Sequence, residues 1–186
     1  MEHAQYLKSI IGELAENAGR VSTQEMEKVA ELIRGAGKVF VAGAGRSGFV
    51  ARAFANRLMH LGLSVYFVGE PTTPAIGAGD LLVIGSGSGE TGSLVVMARK
   101  AKKLGARLAT LTIHPEATIG SLADAVIVIP GATPKSALAD TVQSVQPMGN
   151  AFEQMCWLVY DAIIMILMDV MDKKEDEMFK LHANLE

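Results

Sequence analysis

Leu81-Leu82-Val83-Ile84 and Val126-Ile127-Val128-Ile129 are apolar at every position rather than at every second one. A strand with one face in water alternates apolar and polar residues, so an unbroken run implies burial on both faces. A parallel sheet with helices on each side meets that requirement. Short β-type runs are expected near 38–42, 64–68, 81–85, 107–112 and 125–129, with helices near 47–61, 91–104 and 117–122. The fold class is therefore α/β, a three-layer αβα sandwich on a five-stranded parallel sheet.

Two helices are expected within residues 1–35. Tyr6, Leu7, Ile10, Ile11 and Leu14 recur at helical spacing. Ser22-Thr23-Gln24-Glu25 has the form of a capping box, and the helix it opens places Val29, Leu32 and Ile33 inward before Gly35 and Gly37 end it. Residues 131–146 contain Pro and Ser without periodicity and are expected to form a mobile connection. A long helix from about 148 to 171 and a charged tail complete a C-terminal segment of 148–186. With 186 residues, the chain is expected to be one domain, 1–186.

Composition narrows the partners. The net charge is −3, so no basic field attracts nucleic acid or anionic lipid. The single Cys156 excludes an internal disulfide and, with a start at Met1-Glu2-His3 that lacks signal-peptide character, points to the cytoplasm. Residues 151–170 are apolar enough to consider as a membrane span, but Glu153, Asp161 and Asp169 favour a core or interface helix. Met155, Met165, Met168, Trp157, Leu158, Ile163, Ile164 and Leu167 spread around that helix too widely for one face of a monomer, so self-association is expected.

Function is carried by two loops. Val39-Phe40-Val41-Ala42 runs into Gly43-Ala44-Gly45-Arg46-Ser47-Gly48, and Leu81-Leu82-Val83-Ile84 runs into Gly85-Ser86-Gly87-Ser88-Gly89-Glu90-Thr91. Glycines let backbone N–H groups approach a ligand, and the helix that follows turns free donors and a positive dipole end toward an anion. The candidate binding set is Gly45, Arg46, Ser47, Ser86, Gly87, Ser88, Gly89 and Thr91, and a small phosphorylated molecule suits it. The alternative is that Ser and Thr only cap helices. Gly43-x-Gly45-x-x-Gly48 also matches the dinucleotide fingerprint, with Glu70 about twenty residues on, so an NAD-dependent oxidoreductase is a competing reading. A dinucleotide fold has no need of the clustered hydroxyls in the second loop. No Gly-Lys-Ser/Thr follows either run, which excludes a Walker loop.

Taken together, the two loops resemble the sugar isomerase (SIS) domain, whose topology is flavodoxin-like or Rossmann-like. Arg57-Leu58-Met59-His60, Gln146-Pro147-Met148-Gly149, Phe152-Glu153-Gln154 and the terminal His182-Ala183-Asn184-Leu185-Glu186 resemble the 6-phospho-3-hexuloisomerase family across nearly the whole chain. The resemblance implies interconversion of D-arabino-hex-3-ulose 6-phosphate and D-fructose 6-phosphate, in the ribulose monophosphate pathway of formaldehyde fixation. It also implies a homotetramer of single SIS domains.

Moving a ketone from C3 to C2 passes through a cis-enediol and needs neither a redox cofactor nor a metal. Glu153 is the first choice for the base, because a carboxylate among Phe152, Met155, Cys156 and Trp157 is poorly solvated and reactive toward a carbon acid. A first-turn glutamate complementing the helix dipole is the plainer reading. His60, ending the helix after the first loop, and His182 compete for the second proton-handling role. The tail position of His182 resembles that of a histidine which, in related sugar-phosphate isomerases, reaches a neighbouring subunit's site. Arg46 would orient substrate, stabilise the enediolate or form a surface ion pair. Glu70 is a weaker candidate for substrate hydroxyls, and His3 and His114 read as surface or turn residues. A non-catalytic sugar-phosphate sensor, which needs neither Glu153 nor a histidine, is the remaining alternative.

Overall fold

The computed structural model describes residues 3–131 and 144–185. The five apolar runs form β1 (Val39–Gly43), β2 (Val65–Phe67), β3 (Leu81–Gly85), β4 (Arg107–Thr112) and β5 (Ala125–Val128). They pair in parallel in the order β2-β1-β3-β4-β5. Successive side chains enter opposite cores, as strand geometry requires. Val39, Val41, Leu81, Val83, Leu111 and Ile127 face α1 (Tyr6–Ala18), α2 (Thr23–Arg34), α3 (Gly45–His60) and α6 (Asn150–Val170). Phe40, Ala42, Leu82, Ile84 and Leu108 face α4 (Gly92–Lys103) and α5 (Thr118–Leu122). Burial of one such side chain, Ile84 for example, stabilises the fold by about 1.5–3 kcal/mol. The expected three-layer α/β sandwich is therefore present.

The path of the chain makes a crevice. β1 leads through α3 to β2 on one side, and the chain then crosses to β3 on the other side of β1. The strand order reverses there, and a cleft opens beyond the carboxyl ends of β1 and β3. Gly43 and Gly85, which end these strands, are partners in register.

Several local expectations change. The Ser22 hydroxyl accepts from the Glu25 backbone N–H at 3.3 Å, so half of the capping box forms. The Glu25 carboxylate does not return to Ser22. It accepts from the backbone N–H of Val128 at 2.9 Å, covering an outward-facing donor of edge strand β5. On α1, Tyr6, Leu7 and Ile11 remain exposed although their spacing suggested an inner face. Within the expected mobile connection, residues 132–143 lie outside the described part. Gln146 is buried, and its Nε2 donates to Glu13 at 3.0 Å. The charged tail forms a further short helix, α7 (Glu175–Phe179), anchored by buried Met178. By length and composition α6 could cross a membrane, yet Met155, Val159, Ile163 and Leu167 bury it in the core.

Candidate functional site

A cavity of about 420 Å³ lies over the crevice between β1 and β3. Three helices begin in its wall: α3 with Gly45, Arg46 and Ser47, α4 just after Thr91, and α6 with Asn150 and Glu153. Their N-cap residues, Ala44, Thr91 and Gly149, make no side-chain capping bond. Uncapped first-turn N–H groups and three positive dipole ends therefore meet at one place, an arrangement chemically suited to an anion. Thr91 occupies the cap position that the plainer reading assigned to it, but its hydroxyl does no capping.

The two loops play different parts. In the first, Gly43 and Gly48 press strand against helix: a Cβ on Gly48 would lie 2.8 Å from the Gly43 carbonyl oxygen. The outer glycines of the fingerprint therefore serve backbone packing. The acidic residue of that fingerprint is committed elsewhere, because Glu70 pairs with Arg52 at 2.6 Å and does not line the cavity. In the second loop Ser86 is buried, lines the cavity, and has a hydroxyl with no partner. A buried hydroxyl without a partner costs about 1–3 kcal/mol, so a bound acceptor is needed to recover it. The Ser88 hydroxyl already accepts from the Glu90 N–H at 3.3 Å. Glu90 accepts from the Thr118 N–H at 2.6 Å, which holds its carboxyl below the usual range and ties the loop to α5. Gly89 does not line the cavity. Its φ is +64°, and a Cβ would come 2.6 Å from that of Ala117, so it shapes the turn.

Glu153 enters the cavity from the first turn of α6, with Phe152, Met155 and Cys156 buried around it. Its side chain is 15% exposed. The surroundings are not only apolar, because Arg46 Nε stands 2.6 Å from Glu153 Oε2. That oxygen is buried and has no aligned hydrogen bond, so the contact is a charge pair with poor N–H direction. Burial pushes the Cys156 thiol and the Tyr160 hydroxyl well up, leaving both protonated and inert. Tyr160 stacks on Phe54 at 4.1 Å between α6 and α3.

The histidines are placed differently. His60 closes the 16-residue α3, roughly 20 Å along the helix from Arg46. It is buried and stacks on His182 at 5.2 Å, with Phe179 against the other ring at 6.0 Å. Within one chain neither histidine reaches the cavity that holds Glu153. His114 lies in a turn, as expected, but is buried, with Nδ1 3.4 Å from Glu116. Met148, Gly149 and Asn150 do line the cavity although no role was read for them. Met148 (φ +58°) and Gly149 (φ +82°) are consecutive left-handed residues that turn the chain into α6, and the Pro-Met-Gly order was the available signal.

Burial, Arg57 and His182 lower the pKa of His60 below its ordinary value of 6.5. The folded chain then binds fewer protons at this group than the unfolded chain in the window just below about 6.5. Stability is therefore complete above that pH and falls as acid charges His60. Thermal melting at pH 7.5 and 5.5 should show the loss, and His60→Asn should flatten the slope. An unchanged slope in the variant would assign the effect to another group.

Residues 32–157 match the SIS domain family. The chain is 46% identical over 186 residues to the 3-hexulose-6-phosphate isomerase of Bacillus subtilis, covering 100% of both. It is 44% identical over 180 residues to that of Mycobacterium gastri, covering 97% of this chain and 89% of the relative. A solved structure from Methanococcus jannaschii, for which a function of 3-hexulose-6-phosphate isomerase has been inferred, superposes with a TM-score of 0.83 at 31% identity. That match covers 98% of this chain and 99% of the other.

Proposed function

This chain belongs to the SIS domain family, and from that premise we propose that it interconverts D-arabino-hex-3-ulose 6-phosphate and D-fructose 6-phosphate through a cis-enediol. One observation carries the reading. A carboxylate, Glu153, lies in the same cavity as three uncapped helix N-termini and the unpartnered Ser86 hydroxyl. A sensor needs the anion site alone; an isomerase needs a base beside it.

The phosphate is held by Ser86, Ser88, Thr91 and the first-turn N–H groups of α3 and α4, with the Ser47 hydroxyl as a further donor. Binding energy from this inert group places the reacting carbons against Glu153. Glu153 takes the proton from C2, and the carbonyl oxygen on C3 becomes the enediolate oxygen. The first-turn N–H groups of α6, whose residues Asn150 and Glu153 line the cavity, are the donors that stabilise it in this reading. Transfer of the O2 proton toward O3 and return of the carbon proton at C3 complete the reaction, with no net change in electrons. His60 is too far along α3 to take part in its own chain. His182, exposed on the tail, is the histidine that a neighbouring copy could bring to this cavity.

Self-association follows from the surface. Leu7, Ile11, Phe49, Trp157 and Leu158 are exposed and line an apolar groove of about 590 Å³ that also touches Arg46 and Glu153. A second copy covering the groove would close one wall of the active site, and a homotetramer accords with that. A cytoplasmic setting in a formaldehyde-fixing pathway accords with the substrate and with the free, buried Cys156.

The direct test is deuterium exchange from solvent. Exchange at C3 of D-fructose 6-phosphate is expected, because the shared enediol joins C2 and C3. Exchange at C1 would mean an aldose–ketose isomerase, and none at either carbon would mean a sensor. Ser86→Ala should weaken substrate binding about tenfold, or ~1.4 kcal/mol, the scale of a hydrogen bond to a charged group. Ser88→Ala should weaken it too, because accepting from the Glu90 N–H leaves the Ser88 hydroxyl proton free to donate to phosphate. Titration calorimetry with D-fructose 6-phosphate measures both, and equal affinities for the double variant and wild type would remove the loop from the phosphate site.

A further inference from the structure

Arg46 stands between two anions. Its Nε faces Glu153 Oε2 at 2.6 Å, and the same residue lines the cavity beside Ser47, at the helix end that takes the phosphate. The two partners are unequal. The Glu153 side chain is 15% exposed and the Arg46 side chain 66%, so the arginine is free to swing while the carboxylate is not. Their contact lacks an aligned hydrogen bond, and an ion pair with one exposed member is weak. A phosphate monoester carries more charge than a carboxylate and fits the guanidinium fork bidentately. It is the stronger competitor for Arg46.

We propose that Arg46 gates the base: it occupies Glu153 until the substrate's phosphate claims the guanidinium, and only then is the carboxylate free to approach a carbon-bound hydrogen. This rests on the reading of the cavity as a phosphosugar isomerase site. Arg46 is a positioning residue in this scheme, acting through Glu153. The device makes the phosphate a switch as well as a handle, because sugars lacking it meet a base that is already engaged. Arg46 is the only ion-pair partner of Glu153 among the described residues, and the neighbouring Gln154 faces the apolar groove as well.

The test separates the switch from the handle. Deuterium exchange at C3 of D-fructose, which has no phosphate, is measured with and without inorganic phosphite as a detached phosphate group. Phosphite should accelerate the wild-type chain. In Arg46→Gln the phosphite-free rate should rise by about two- to fivefold above wild type, the scale of an ion pair with one exposed member, and the response to phosphite should nearly vanish. Arg46→Lys keeps a cation over the carboxylate and should return the phosphite-free rate to the wild-type level. A phosphite-free rate in Arg46→Gln at or below wild type overturns the proposal, because an arginine that only holds phosphate or stabilises the enediolate cannot raise that rate when removed. A lysine variant that behaves like the glutamine variant overturns it too, as does a wild-type chain that exchanges D-fructose 6-phosphate yet shows no phosphite response on D-fructose. Absence of C3 exchange with D-fructose 6-phosphate itself would instead reject the isomerase reading beneath it.

Discussion

Glu153→Gln should lower turnover by about 10²–10⁴-fold, the usual contribution of a positioned general base, while leaving the affinity for D-fructose 6-phosphate close to that of wild type. The amide has nearly the shape of the carboxylate, so the first turn of α6 and its packing on Phe152, Met155 and Cys156 should persist. What disappears is the acceptor for the carbon proton. The proposed phosphate contacts belong to α3, α4 and the loop of 86–91, on other elements, so binding and chemistry should separate in the measurement. Steady-state rates read one quantity and calorimetric titration the other. A variant that loses affinity but keeps its residual turnover would show that Glu153 binds substrate and that the base lies elsewhere. Loss of the Arg46 pairing in the same variant frees a guanidinium for phosphate, so a modest gain in affinity is the expected direction of any change.

Gly48→Ala should be the most damaging small substitution in the site for stability. Its Cβ would lie 2.8 Å from the Gly43 carbonyl oxygen and 3.1 Å from the carbonyl carbon. Both contacts are with backbone, which cannot rotate away as a flexible side chain can. Relief requires moving the start of α3 off the end of β1, which disturbs a helix packed on β1, β2 and α6 through Ala51, Phe54 and Leu58. Overpacking of this kind costs about 1–3 kcal/mol, occasionally more, and for a chain of this size that lowers Tm by roughly 3–10 °C. Differential scanning calorimetry measures it. Because Gly45 and Ser47 open the same helix, the variant should also bind sugar phosphate more weakly. An alanine variant with wild-type Tm would mean that the strand and helix do not approach this closely in solution.

Much of this architecture was legible from residues alone. The short β-type runs marked all five strands to within about two residues, and the runs at 81–84 and 126–129, apolar at every position, marked the sheet as covered on both faces. The glycine-and-hydroxyl loops marked the walls of the cavity, since both line it where helices begin. Where reading failed, a distant partner had outbid a local one. Glu25 matched a capping box but found the edge of β5, 103 residues away. The GxGxxG spacing matched a dinucleotide fingerprint, whereas its outer glycines, Gly43 and Gly48, only let strand and helix touch. The stripe on α1 suggested a core face, yet Tyr6, Leu7 and Ile11 stay open. His60 and Glu153 both read as proton-handling groups, and His60 was expected to end its helix, but nothing in the sequence showed that Glu153 would pack beside the other end of α3.

The chain's own order of residues was enough to determine the class of fold, the glycine-and-hydroxyl corner proposed to take the phosphate and the carboxyl-bearing residue proposed as the base. These depend on period, side-chain bulk and charge, which are properties of short segments. The tertiary structure alone decided which ends meet. Strand order 2-1-3-4-5 brings Gly43 beside Gly85, sets the starts of α3, α4 and α6 around one cavity, and sends His60 and His182 to the opposite end. The physical reason is that a helix carries its two ends roughly 20 Å apart, so membership of a site depends on which end of an element a residue occupies and where packing puts that end. The pairing of Arg46 with Glu153, across more than a hundred residues of chain, is set by the same packing of α3 on α6.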